Sequence, residues 1–193
     1  DITPPDLRGN ESLRYSVFDR NSNLWINYGD HSLRKYHYSD DKLNLAQRWD
    51  NYEIDALWMD EKGEVLIMSQ NEIINPATST HVQIVNKPLD SDFWFISTLK
   101  DGAPYFMDND HLYLLVSGNE LKALPVDIAF PSCMYKDKEG TYWIGTSSSG
   151  VYRYDPEDGS LDHIDYEDGL SDSSIRSIIG DEEGNIWVCC RND

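Results

Sequence analysis

Residues 169–191 run Gly-Leu-Ser-Asp-Ser-Ser-Ile-Arg-Ser-Ile-Ile-Gly-Asp-Glu-Glu-Gly-Asn-Ile-Trp-Val-Cys-Cys-Arg. A short apolar strand leads into a turn with Gly184 at its tip, and Ile186 and Trp187 open a second strand. The turn chemistry is explicit. Asp181 and Asn185 can bond back to their own backbone, and Gly184 accepts a positive φ without steric cost. The stretch therefore reads as a β-hairpin.

The same hairpin recurs. Asp181, Gly184 and Trp187 define a frame of an aspartate, a glycine three residues on and an aromatic three beyond. Asp137, Gly140 and Trp143 repeat it fully, and Asp60, Gly63 and Leu66 repeat it with leucine in the aromatic place. At Leu99, Gly102 and Tyr105 the aspartate has slipped to Asp101, and at Asp19, Ser22 and Trp25 serine replaces glycine. The frame opens at 19, 60, 99, 137 and 181, with separations of 41, 39, 38 and 44 residues by subtraction. Apolar residues also recur six and three positions before the openings, as in Ile54 and Leu57, Phe93 and Ile96, and Ile175 and Ile178, with Leu13 and the weaker Ser16 at the start. A period of about 40 residues made of short strands is the signature of a β-propeller blade.

The expected fold is all-β, with propeller blades of four antiparallel strands, about four and a half of them, forming a fragment of a larger propeller. The expected divisions are a lead-in at 1–12, blades at 13–50, 51–89, 90–128 and 129–170, and the first half of a fifth at 171–193. The first residue is Asp1 rather than methionine, so the expectation is a chain processed or cut from a longer one.

Composition narrows the partners. Lys and Arg number 16 against 35 Asp and Glu, a net charge of −19. The acids are scattered through the turns, as a solvated turn surface requires. Phosphate binding needs a basic face, so nucleic acid and anionic membrane are not expected as partners. No apolar run reaches the roughly 18 residues of a bilayer span. Cys133, Cys189 and Cys190 are an odd count without metal-ligand spacing, and the expectation is three small buried apolar residues.

The run from Tyr142 to Tyr154, followed by Asp155-Pro156, Gly169-Leu170 and Ser174-Ile175-Arg176-Ser177-Ile178, resembles the two-component regulator propeller repeat. The likeness is close over 132–188, recognisable at 13–36 and 54–67, and weak between 70 and 130. Asn27-Tyr28 and Cys189-Cys190 depart from it where the pattern has Gly-Thr. Such repeats build the periplasmic sensor region of Bacteroides hybrid two-component systems, ahead of a membrane span and a histidine kinase. The resemblance implies a receptor for a ligand, commonly an oligosaccharide, rather than a catalyst.

Binding residues are expected where the repeat is broken, in loops from the fourth strand to the next first strand and from the second strand to the third. Those loops share one face. The candidates are Trp49, Asp50 and Tyr52; Asp90, Asp92 and Trp94; His31; and Asp172 and Arg176. Aromatic faces stack on sugar rings, while carboxylates and arginine bond hydroxyls. The same mixture suits a partner protein, so a scaffold that dimerises through open blade edges is the alternative, with a propeller lyase or glycosidase as a third reading. The repeat aromatics Trp25, Tyr105, Trp143 and Trp187 are expected to pack blade against blade. No cofactor is expected. No carboxylate pair is singled out for acid–base work, the five histidines lack zinc-ligand spacing, and Ser147-Ser148-Ser149-Gly150 reads as a loop rather than a phosphate cradle.

Overall fold

The computed structural model describes residues 12–87, 94–99, 102–108 and 110–191. The chain divides into two compact units, Asp1–Lys87 and Pro88–Asp193. Among the described residues there is no helix.

In the first unit, β1 (Leu13–Phe18), β2 (Leu24–Tyr28), β3 (Leu33–Ser39) and β4 (Lys42–Trp49) form one antiparallel sheet. A second sheet contains β5 (Ala56–Met59), β6 (Val65–Ser69), β7 (Glu72–Asn75) and β8 (Thr80–Gln83). The second unit holds β9 (Trp94–Thr98), β10 (Pro104–Met107), β11 (Leu112–Val116) and β12 (Glu120–Ala123), then β13 (Pro131–Lys136), β14 (Tyr142–Thr146), β15 (Val151–Tyr154) and β16 (Leu161–Ile164). The hairpin β17 (Ile175–Gly180) and β18 (Ile186–Cys190) completes it. Every sheet pairs its strands in chain order, the up-and-down pattern of a propeller blade.

The first turn of each sheet is built the same way. The opening residue takes its backbone N–H to the carbonyl four residues on: Asp19 to Asn23, Asp60 to Glu64, Leu99 to Ala103, Asp137 to Thr141 and Asp181 to Asn185, all at 2.8–3.0 Å. Its carbonyl receives the N–H three residues on, and that third residue has positive φ in every turn, from 60° at Ser22 to 95° at Gly140. A tight turn closed by one left-handed residue is a standard three-residue hairpin connection. It explains the glycine of the frame, and it makes Ser22 the sterically costly exception.

The aspartate adds side-chain bonds. In the Asp137 turn, Oδ1 accepts the N–H groups of Glu139 and Thr141, and Oδ2 accepts the indole N–H of Trp143 at 2.8 Å. Asp19 holds Trp25 and Asp181 holds Trp187 in the same way, each at 3.0 Å. Trp25 and Tyr105 are buried in the interblade cores and Trp143 packs against one, as expected, and the carboxylate clasp adds to that packing; the departure is Trp187. Trp187 is 61% exposed, and what locates it is the carboxylate across its own turn. Tyr105, whose turn opens on Leu99, instead accepts the N–H of Met134 from the next sheet at 3.1 Å. Burial pushes its hydroxyl up to about 12.

Cores lie between consecutive sheets within each unit. Trp25, Leu33, Ile54, Leu57 and Ile67 pack together in the first. Met107, Leu112, Met134 and Ile144 join the third and fourth sheets, and Cys133, Val151, Ile175 and Ile178 join the fourth to β17 and β18. Neighbouring turns are also tied: Arg20 donates to the carbonyl of Glu61, and Lys138 to that of Glu182. Cys133 and Cys190 are buried as expected, but Cys189 is exposed, because alternation along β18 turns it to the side opposite Cys190.

The interblade fit is tight at Gly145. A Cβ there would lie 2.6 Å from Cys133 Sγ and 2.7 Å from Ile175 Cγ2. Gly145→Ala is expected to lower stability by about 1–3 kcal/mol through overpacking, read as an earlier urea midpoint. Unchanged unfolding would contradict this packing. Burial would raise the carboxyl of Asp19, but the hydrogen bonds from Trp25, Asn23 and Asn21 outweigh it and hold the group down to about 2. A depressed carboxyl stabilises the fold above its unfolded pKa, and that stability is lost as pH falls through the folded value. Between about pH 4 and pH 2 the melting temperature should therefore fall more steeply for the native protein than for Asp19→Asn. Parallel curves would refute the assignment.

Candidate ligand-binding site

The ends of the blades opposite the first turns carry no common chemistry, and the backbone there explains why they can vary. Between Pro131, paired with Thr146, and Cys133, paired with Gly145, the ladder skips Ser132. Between Ile175, paired with Cys190, and Ser177, paired with Cys189, it skips Arg176; between Leu13 and Tyr15 it skips Arg14. These are β-bulges at one repeat position, five residues before the turn opens. A bulge releases its residue from the in–out alternation and re-aims the side chain.

In the second unit two such residues meet. Ser132, Ser147, Ser174, Ile175, Arg176 and Arg191 line a concavity of about 380 Å³. Ser132 and Arg176 are the bulged residues of adjacent blades. Ser147 and Arg191 are equivalent to each other as well, being the first residues after β14 and β18. Each is held by its backbone N–H, Ser147 to Phe130 at 2.9 Å and Arg191 to Ser174 at 2.8 Å. The floor is closed by the Ser132 hydroxyl donating to the carbonyl of Ile175 at 2.8 Å. Both arginines are exposed, and among the described residues neither has an ion-pair partner. Phe130, whose carbonyl Ser147 holds, is 57% exposed with φ of 51°, unusual for a bulky residue. Tyr166, on the loop after β16 at the same end of the sheet, is 71% exposed.

In the first unit the same two positions hold other residues, with the bulged Arg14 exposed. A Cβ at Gly29 would meet Ser12 Oγ at 2.6 Å, and Asp55 spends an oxygen on the Gln70 N–H at 2.9 Å. The nearby polar residues pair with one another. Asp30 accepts Arg34 at 2.7 Å and Arg48 at 3.3 Å, Arg48 also reaches Asp50 at 2.6 Å, and Arg34 is 1% exposed beneath this network. Burial pushes the Asp30 carboxyl up, but the bonds from Ser32 and Arg34 win and lower it.

The expected site residues are dispersed by this geometry. Trp49 stacks on Trp25 with centroids 5.1 Å apart, and Tyr52 packs beside it against the first unit's core. Asp50 is exposed and engaged by Arg48, and the carbonyl of His31 receives the Tyr52 N–H at 3.0 Å. Asp90 and Asp92 lie outside the described residues. Trp94 falls in β9 with its backbone opposite Met107, at the repeat position that Ser132 and Arg176 hold in later blades. Asp172 accepts the Ser174 N–H at 2.8 Å. Arg176 alone of the predicted residues lines the concavity; Ser132, Ser147, Ser174, Arg191 and Phe130 were not anticipated. The signal that could have found them is their equivalence at three fixed offsets from the turn.

Four-stranded units repeated in this way, with a variable mouth opposite a uniform set of turns, define a β-propeller repeat protein. Residues 125–148 and 169–192 match the family described as two component regulator propeller, and these are two-component regulator propeller repeats. All five polar lining residues fall within them. No curated protein matches the chain in sequence. In fold it is similar to the extracellular domain of a one component system from B. thetaiotaomicron, at 20% identity and a TM-score of 0.68, covering 96% of this chain and 27% of that one. It is also similar to the extracellular domain of a hybrid two component system of the same organism, at 16% identity and a TM-score of 0.66, covering 92% and 26%. A catalytically inactive virginiamycin B lyase from Staphylococcus aureus aligns at 11% identity and 0.66, over 94% of this chain and 64% of that one. The chain thus spans about a quarter of the length of the two extracellular domains.

The buried Arg34 gives the first unit a measurable liability. Asp30→Ala leaves its guanidinium without its acid and is expected to cost about 3 kcal/mol, read by urea unfolding. A loss under about 0.5 kcal/mol, the range of ordinary surface changes, would show that the network is not structural.

Proposed function

We propose that the chain is the ligand-recognising part of an extracytoplasmic propeller in a two-component signalling receptor, facing the periplasm, and that it binds an oligosaccharide. The observation that carries this reading is the coincidence of the concavity with the two repeats that match the family. The neighbours described as extracellular domains of signalling systems support the receptor class. Hydroxyl and guanidinium donors in the concavity, with Phe130 and Tyr166 exposed on the segments at the same end of the fourth sheet, support a saccharide, whose ring faces stack on aromatics and whose oxygens accept hydrogen bonds.

A binding role rather than turnover fits the lining, which has no carboxylate, histidine or cysteine to serve as general acid, base or nucleophile. The scaffold alternative draws less support. The outer strand β4 carries Lys42, Asn44, Gln47 and Arg48, and β8 carries Thr80, His81 and Gln83, a polar dressing that disfavours strand-to-strand pairing.

Calorimetric titration of the intact protein with a broad panel of glycan fragments is expected to give saturable binding for at least one class. Phe130→Ala should weaken it about five- to tenfold while leaving the melting temperature unchanged, since the ring is exposed. No heat across the panel would overturn the saccharide reading.

A further inference from the structure

We infer that the concavity at the mouth of the fourth and fifth blades receives a negatively charged group, a carboxylate or a sulfate, held between Arg176 and Arg191. The inference rests on the saccharide reading and specifies its chemistry: an acidic sugar rather than a neutral one.

Charge is the first reason. In a chain of net charge −19, two arginines converge on one small hollow with no acid in its lining. Three other arginines find acids, Arg34 and Arg48 meeting Asp30 and Arg153 meeting Asp162 at 3.1 Å, while Arg20 donates to the Glu61 carbonyl. Two like charges side by side repel unless an anion lies between them. The planar guanidinium is the side chain best shaped for that anion, since its N–H groups bond two oxygens at once.

The hydrogen-bond inventory is the second reason. Arginine donates and never accepts. The Ser132 proton is already committed to the Ile175 carbonyl, and Asp172, which holds the Ser174 N–H, does not line the hollow. A carboxylate or sulfate only accepts, and it matches the two guanidinium groups, which only donate; the serine hydroxyls can do either and do not discriminate.

Backbone placement is the third reason. Arg176 is the bulged residue of β17 and Ser132 that of β13, so the same irregularity presents both side chains to one hollow. At the corresponding position of the second blade, Asp55 turns its own carboxylate onto the Gln70 N–H. There a protein carboxylate occupies the blade mouth; in the fourth and fifth blades that role falls to the ligand.

The test is calorimetry on the intact protein with three sets of probes: polyuronate oligosaccharides, the same oligosaccharides with their carboxylates methyl-esterified, and sulfated oligosaccharides. An acidic probe is expected to bind at least tenfold tighter than its neutral counterpart, with affinity falling as salt rises. Preference for the uronate or the sulfated set identifies which anion is taken. Arg176→Gln and Arg191→Gln should each weaken the acidic probe about tenfold and reduce the salt dependence. Neither should move the melting temperature, and Arg176→Lys should restore only part of the affinity, since it keeps the charge without the planar fork. Equal binding of the esterified and acidic forms, unaffected by either glutamine variant, overturns the anionic site and leaves the saccharide receptor standing. Binding by none of the three sets, together with silence across the neutral panel, removes both.

Discussion

At the entrance of a blade one carboxylate gathers at least three hydrogen atoms. In the turns opened by Asp19, Asp137 and Asp181, one oxygen accepts two backbone N–H groups and the other accepts the indole N–H six residues downstream. The turn, its left-handed residue and the first aromatic of the second strand are thereby held as one piece. Because pairing register follows from the turn, everything further along both strands is placed by this contact. Where the aspartate is missing, at Leu99, the backbone pattern of the turn survives and Tyr105 redirects its polar tip to Met134. The frame tolerates loss of the clasp when another bond takes over the aromatic.

The uniform end and the variable end of a blade follow from the same geometry. Register set at the turn carries apolar residues into the interblade cores, where Gly145 lets β14 approach Ile175. Five residues before the turn the ladder bulges, and alternation no longer dictates which side chain is tolerated there. Arg14, Ser132 and Arg176 occupy that position in three sheets, and what each one faces is set by its neighbours. Acid residues are concentrated on turns that need them, which leaves a local basic hollow compatible with a strongly acidic whole.

The two units use their mouths differently. In the first, Asp30, Arg34, Arg48 and Asp50 satisfy one another, and the Trp25–Trp49 stack fills space that aromatics could have offered to a ligand. In the second, the arginines at the mouth meet no acid among the described residues. Aromatic and charged residues are as frequent in the first blade as a binding site would require, yet they are consumed internally. Composition of a loop is thus a poor guide to its availability.

Much of the architecture was legible from the chain alone. Turn residues act through their own backbone preferences, so Asp137, Gly140 and Trp143 announce their hairpin locally, and a period near 40 residues announces the blade. The indole–carboxylate clasp was not anticipated, although both partners were in the quoted frame, because spacing does not say which way a side chain points. The site was hidden for a stronger reason. A bulge is a property of how two strands pair, not of residue type, so nothing local marks Ser132 or Arg176 as released from alternation. Ser132 and Ser147 lie some 40 residues before Arg176 and Arg191 in sequence, and only the packing of one blade against the next brings the four around one hollow. Sequence by itself determined the repeating unit; tertiary structure decided which residues of neighbouring blades meet at a mouth.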